Sequence, residues 1–524
     1  MHEERTMDGE ANVKMDAKAI VIGGGFGGLA AAMRLQGRGF RVTLLEKRER
    51  VGGRAYRLEA KGYTFDMGPS LITAPAILES AFRCVGSSLR DHVDLLPLDP
   101  FYRIYFHDKT FIDYGGRAED MKDQMRRFNP VDAGKYDAFM EAIRPIYEQV
   151  IEKGLGAKPF HDWREMARFL PIVLKLGAWK PVPAFVNAFF SDFRHRFMFS
   201  FHSLYIGGDP FRSPSVYLMI PYLERKQGVW YTKGGMYSVV QAMEKAFTDA
   251  GGELLTGHAA DCIRVEGGRA VGVEAKGRLL AADLVVSNAD LAHTYRHLIA
   301  PEHRRKWTDA KVHGLKHTMG CFLLFLGVRK TFPALKHHTL ILSERYRQLL
   351  ADIFRRKILP EDFSLYLHAP CRTDPTMAPP GCDSLMILAP VANLDSGMDW
   401  EAAKTGFAER ILAFLETWGL EGLRENVEFM RIYTPLDSKT DLNAYRGNAF
   451  GLEPSLGQTG YFRPHNRSED IPNLYFTGAG THPGAGVPGV LLSAEATEAC
   501  ILEDFPHMRQ AYAGATASHR TAHA

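Results

Sequence analysis

The residues Gly23-Gly24-Gly25-Phe26-Gly27-Gly28 satisfy G-x-G-x-x-G, and their surroundings constrain the fold more than any other stretch of the chain. Ala19 to Ile22 is an apolar run of strand type, and Gly27 to Gln36 carries helical character. Arg41 to Leu45 (RVTLL) reads as a second strand that ends at Glu46. Strand, glycine turn, helix, strand and acid fall within about thirty residues, the setting in which this pattern builds a dinucleotide fold. Gly23 permits the tight turn, Gly25 lets backbone approach a pyrophosphate, and Gly28 lets the helix lie close on the sheet. The helix N-terminus offers unbonded N–H groups and the positive end of its dipole to phosphates. Glu46, an acceptor only, suits the ribose hydroxyls of an adenosine.

NAD and FAD share this fingerprint, so a second feature must separate them. Glu46-Lys47-Arg48 is followed by Val51-Gly52-Gly53-Arg54-Ala55 and then by Phe65-Asp66-Met67-Gly68-Pro69. Two glycines before an arginine let the backbone run along a flat cofactor while the guanidinium meets a phosphate or ring oxygen. This doublet with Arg54 resembles the flavin amine oxidase and carotenoid desaturase superfamily, and the resemblance points to FAD.

The block Thr477-Gly478-Ala479-Gly480-Thr481-His482-Pro483-Gly484-Ala485-Gly486-Val487-Pro488-Gly489-Val490 is more specific, and it resembles the bacterial-type phytoene desaturases. Supporting stretches are Ser200 to Leu204 with Gly207-Gly208, Phe363 to Cys371, and Phe462 to Arg467. The resemblance runs from about Ala19 to Asp504. It implies a non-covalent FAD held by Gly23, Gly25, Gly28, Glu46, Lys47, Gly53, Arg54, Gly68, Gly480, His482, Gly489 and Val490. It also implies desaturation of phytoene to acyclic carotenes of the neurosporene or lycopene type. Hydride would pass to flavin, and oxygen or a membrane quinone would reoxidise it.

Related readings are a diapophytoene or hydroxycarotenoid desaturase or a carotenoid isomerase. More distant are a flavin amine oxidase and a peripheral membrane protein that uses FAD only structurally. Amine oxidases usually place an acid after the glycine pair, where this chain has Thr481, which argues against the former. A helix starting near Pro488 would aim its positive dipole end at the charge that reduced flavin gathers.

The acid–base group is harder to find. An acid followed by Arg three positions later matches Glu141 and Arg144 in Tyr136 to Arg144 (YDAFMEAIR), on one face of a helix. The resemblance makes this pair the expected catalytic residues. An exposed surface ion pair is the competing reading. His202, His368, His465 and His482 sit in the family-like motifs but none has HxH or HxxxH spacing with its neighbours, the side chains of adjacent His337 and His338 need not converge, and no metal is expected.

Composition narrows the partners. Lys and Arg total 64 against 61 Asp and Glu, a balance that argues against nucleic acid. No run of eighteen apolar residues predicts a transmembrane helix, and the acid-rich first sixteen residues do not read as a secretory signal. Six scattered cysteines fit a reducing compartment. Phe160 to Phe211 holds thirteen aromatic residues in 52, about twice the chain's 11%. They fill a core, or they meet a bilayer alongside Lys175, Lys180, Arg194 and Arg196, as a water-insoluble acyclic carotene substrate would require. A monotopic attachment to the cytoplasmic side of the cell membrane is therefore expected.

The fold expected is α/β, with a Rossmann-like FAD domain assembled from residues 18–90, 226–300 and 461–505. Inserted are a helical, membrane-facing substrate region at 91–225 and a mixed substrate domain at 301–460. Tails are expected at 1–17 and 506–524. Within 226–300, the short runs from Gly252 to Glu274 read as one β-meander.

Overall fold

The computed structural model describes residues 17–509, so nearly all of the two expected tails lies outside it. At the inner end of the second tail the chain is still packed. Pro506–Arg509 forms a helical turn, and Met508 is fully buried in the core beneath the first helix.

A five-stranded parallel sheet runs in the order Leu474–Phe476, Leu284–Ser287, Lys18–Ile22, Arg41–Leu45, Glu253–Leu255. Three distant segments thus share one sheet. Its middle strand is apolar on both faces, as a covered parallel strand must be. Ala19 and Val21 pack under the helices Phe26–Gly37, Met236–Asp249 and Val487–Asp504. Ile20 and Ile22 point the other way, onto Ile263, Val265 and Val273 of a three-stranded antiparallel layer. That alternation follows from the two-residue period of a strand.

One expectation is corrected here. Glu253–Leu255 is not part of the meander, which consists of Cys262–Glu266, Arg269–Ala275 and Arg278–Ala281. It pairs in parallel with Arg41–Leu45 instead, Leu44 opposite Leu254.

The second sheet has seven strands, in the order Val427–Tyr433, Gly320–Val328, Asp383–Val391, Leu365–His368, His338–Ile341, Tyr102–Tyr105, Phe111–Tyr114. Residues 91–225 and 301–460 are therefore not separate units. Their strands join where Thr339 lies beside Arg103, the one parallel pairing in this sheet. Phe322, Leu324 and Leu326 pack under the helix Trp400–Glu416, while Leu323 and Phe325 face the hairpin carrying Tyr63 and Phe65.

The aromatic segment divides between the two roles considered for it. Phe190 packs edge-on and Phe199 tilted against Phe139, at ring distances of 5.1 and 4.7 Å, and they fill a core. Trp163, Leu170, Leu174 and Trp179 are exposed. Arg194 does not face outward freely. It is paired with Asp108 and Asp192 and lies over Phe193.

Candidate functional site

A continuous cavity is walled by both sheets and by the three glycine-rich loops. One end is polar and mostly backbone. Gly23 has φ +95° and turns the chain out of the central strand, and its N–H donates to the Leu45 carbonyl at 2.7 Å. Gly25 and Gly53 meet back to back: a Cβ on Gly53 would lie 3.0 Å from the Gly25 Cα. Gly28 does not touch the cavity but supports it, since a Cβ there would fall 1.9 Å from the Gly23 oxygen. Gly68 has a related part, because a Cβ on it would meet the Arg54 carbonyl oxygen at 2.2 Å.

Glu46 lines this end. Its carboxylate accepts from the N–H groups of Gly24 and Arg48, each at 2.9 Å. Roughly two of its four lone-pair sites are left for a ligand hydroxyl. Lys47 is held at the rim by the Thr440 carbonyl and the Asn443 Oδ1, at 3.0 and 2.9 Å. Burial and the neighbouring Arg48 lower its pKa.

Two helix N-termini open on the cavity, and no side chain among the described residues caps either of them. Gly25 is the N-cap of Phe26–Gly37 and Gly486 that of Val487–Asp504. Their free N–H groups and dipoles favour anionic ligand atoms at both ends. Arg54 lines the same cavity. Its Nη2 donates to Asn448 Oδ1 at 3.1 Å, and Asn448 Nδ2 donates to Asp290 Oδ2 at 3.0 Å. The Arg54 Nε is buried with no hydrogen-bond partner among the described residues. Burial lowers the Arg54 pKa, partly offset by Asp290. A buried cationic N–H without an acceptor is costly, and a phosphate or flavin oxygen would satisfy it. The donor set therefore fits FAD.

The other end of the cavity is apolar, lined by Phe197, Phe201, Leu204, Leu340, Leu342 and Tyr346 among others. A buried carboxylate on its wall, Glu224, accepts from the Tyr102 hydroxyl and pairs with His202 Nε2 at 3.2 Å.

Of the residues expected to bind the cofactor, Gly23, Gly25, Glu46, Lys47, Gly53, Arg54, Gly68, Gly489 and Val490 line this cavity. Gly480 and His482 do not. A Cβ on Gly480 would lie 2.8 Å from Leu291 Cβ, so its role is close packing. The His482 ring is turned into the protein edge-on to Phe160, 5.0 Å away, and burial pushes its pKa down to about 3.

The Glu141–Arg144 pair is also corrected. Its atoms are 2.9 Å apart on the outer face of the helix Tyr136–Tyr147, with the Glu141 side chain 58% exposed. The inner face of that helix is taken by Phe139, Met140 and Ile143, which leaves the charged pair in solvent.

Sequence reasoning missed three residues. The Asn288 amide sits where two glycine loops meet. Its Nδ2 donates to the Gly23 carbonyl at 3.2 Å, and its side chain would contact a Cβ on Gly25, Gly27 or Gly478. Arg463, fully buried, donates to the carbonyls of Thr481, Gln458, Leu452 and Ala479 at 2.6–3.3 Å and so fixes the last glycine loop. Glu224 is the third. The motifs contain Asn288 and Arg463, but only the fold shows what they hold.

Fold and site together define a flavin enzyme, and the chain belongs to the family of flavin containing amine oxidoreductases, whose model matches residues 26–502. FAD is its cofactor. Among solved structures it is similar to putrescine oxidase bound to putrescine, with a TM-score of 0.63 at 15% identity, covering 93% of this chain and 99% of that one. It is also similar to an oxidoreductase from Methanosarcina mazei, with a TM-score of 0.62 at 20% identity over 91% and 98% of the two chains. At such identities the likeness concerns the fold.

The curated relatives place it more narrowly, among the phytoene desaturases. It is 43% identical to the lycopene-forming phytoene desaturase of Pantoea ananas over 92% of this chain and 99% of that protein. It is 38% identical to the neurosporene-forming enzyme of Cereibacter sphaeroides, over 94% and 96%.

Proposed function

We propose that the chain desaturates phytoene to acyclic carotenes of the lycopene or neurosporene type. The observation that carries this is the cavity itself, which passes without interruption from the two helix N-termini into an apolar chamber. A hydrocarbon polyene has no polar handle, so apolar walls are the means of recognition open to the protein. When bound, FAD accepts the hydride that the saturated carbon gives up.

The residues of the chain do the rest. Arg54 and the loop fixed by Arg463 hold the cofactor end, while the aromatic and aliphatic walls exclude water and align the chain of the substrate. Glu224, buried in that apolar wall between Tyr102 and His202, takes the proton lost from the adjacent carbon. This assigns to Glu224 the role that Glu141 cannot fill from solvent.

A membrane contact follows from the substrate. Burial of each CH₂ is worth about 0.8 kcal/mol, so releasing a long hydrocarbon into water costs tens of kcal/mol. No helix among the described residues is long and apolar enough to cross a membrane. The helix Trp163–Lys175 instead exposes Trp163, at 62%, with Leu170 and Leu174, and Phe462 is 61% exposed nearby on the turn it packs against. Lys175 and Lys180 are exposed at its end. This patch is the surface we assign to peripheral attachment at the cytoplasmic face of the cell membrane, where a quinone or oxygen would collect the electrons.

The test is expression in a phytoene-accumulating host with chromatography of the pigments, together with liposome cosedimentation of the purified protein. Lycopene or neurosporene should appear. Lys175→Glu combined with Lys180→Glu should weaken binding to anionic liposomes while FAD stays bound. Unchanged phytoene with a flavin-loaded, membrane-bound enzyme would refute the reaction. Absence of liposome binding by the parent protein at low salt would refute the attachment.

A further inference from the structure

Next to the cavity, but outside it, three buried histidines come together at the ends of two paired strands. His338 and His368 are directly opposed in the register of His338–Ile341 with Leu365–His368, and His337 precedes the first of these strands. Their rings lie 4.5, 5.0 and 5.2 Å apart. One potential ligand atom from each lies within 4.8 Å of the other two.

The hydrogen bonds around them set the direction of each ring. His337 Nδ1 is 2.7 Å from the Thr373 hydroxyl, and His338 Nδ1 is 2.7 Å from the Tyr366 hydroxyl. Those outer partners leave the Nε2 atoms to face inward. His337 Nε2 and His368 Nε2 are 3.1 Å apart, and His338 Nε2 is buried with no partner among the described residues. A metal ion with Zn–N bonds of about 2.0–2.1 Å in tetrahedral geometry needs ligand nitrogens roughly 3.3 Å apart. The closest pair is already near that value. An outer hydroxyl on Nδ1, as His337 and His338 have, is also the arrangement that orients metal-bound imidazoles.

We propose that His337, His338 and His368 form a binding site for a divalent transition-metal ion, with zinc the ion that suits three imidazoles and a closed, buried setting. Neutral imidazole is the form that ligates, and burial keeps all three pKa values well below the ordinary histidine value, that of His337 at about 3. Tyr231 lies beside the cluster, its ring 4.5 Å from that of His337 and its hydroxyl buried without a partner among the described residues.

The ion would be structural. It ties the two strand ends together, and through His338 it orients the Tyr366 hydroxyl, which is 2.5 Å from Ser70 Oγ on the cavity wall. The convergence was not visible in the sequence, where only His337 and His338 are neighbours.

The experiment uses untagged holoenzyme treated with chelator and then titrated with Co²⁺, followed by the d–d absorption that lies to longer wavelength than the flavin bands. One equivalent per chain should bind with the intense absorption of a four- or five-coordinate site. Zn²⁺ should displace it and raise the melting temperature. His338→Gln and His368→Gln should each abolish the absorption while retaining FAD, which reports that the chain is folded. No cobalt uptake by the parent protein would overturn the proposal without reference to any variant. Uptake undiminished in FAD-loaded variants would overturn it as well, since the ion would then sit elsewhere.

Discussion

Gly28→Ala is the substitution whose effect can be worked most directly from the structure. The new Cβ would lie 1.9 Å from the Gly23 carbonyl oxygen and 3.1 Å from both its carbon and Asn288 Nδ2. Real Cβ contacts do not fall below 3.0 Å, so the helix and the turn must part by 1.1 Å. The helix has little room to yield. It packs against Val487–Asp504, and Arg34 on its last turn is paired with Glu498 of that helix at 2.9 Å. The turn therefore moves, carrying Gly23, its bond to Asn288 and the Gly25–Gly53 contact with it. Overpacking of this kind costs about 1–3 kcal/mol. On the reading that the displaced turn faces the cofactor phosphates, the cost should appear as roughly 5- to 150-fold weaker FAD binding. Apoprotein titrated with FAD, followed by flavin fluorescence, measures this. A dissociation constant indistinguishable from the parent's would show that the turn does not hold the pyrophosphate.

Three further outcomes are expected. Gly406→Ala, on the exposed face of the helix Trp400–Glu416 with nothing within 4 Å of the new Cβ, should stabilise the fold by up to about 1 kcal/mol in chemical denaturation. A loss of stability would refute that account. Glu224→Gln should keep FAD but lower turnover about 10²–10⁴-fold, and near-native turnover would remove Glu224 from the proton transfer. Asp66 is buried and accepts from the Met236 N–H at 3.0 Å, and burial pushes its pKa up to about 7 from 3.8. A carboxyl raised in the folded state favours folding below its unfolded pKa, and that contribution is lost as pH rises through the folded value. In chelator-treated protein, stability should thus fall between about pH 4 and 7 by up to roughly 4 kcal/mol, and Asp66→Asn should flatten that slope. Parallel pH profiles for parent and variant would contradict it.

What the sequence determined by itself was local chemistry. The strand–glycine–helix–strand–acid unit at residues 19–46 is legible because each part is set by its own backbone: apolar runs for buried strands, glycines where φ is positive or chains cross. The cofactor-end residues Gly25, Glu46, Gly53, Arg54 and Gly489 could be named for the same reason, since short motifs carry their own geometry. Only tertiary structure decided what distant segments do to one another. Glu253–Leu255 left the meander because the parallel sheet had an unpaired edge. The two expected insertions became one domain because Tyr102–Tyr105 pairs with His338–Ile341. Glu141 went to solvent and Glu224 to the cavity wall because helix orientation is set by which face a core claims, and spacing along the chain does not specify that core. His337, His338 and His368 converge for the same reason: strand register, a long-range property, brings together side chains thirty residues apart.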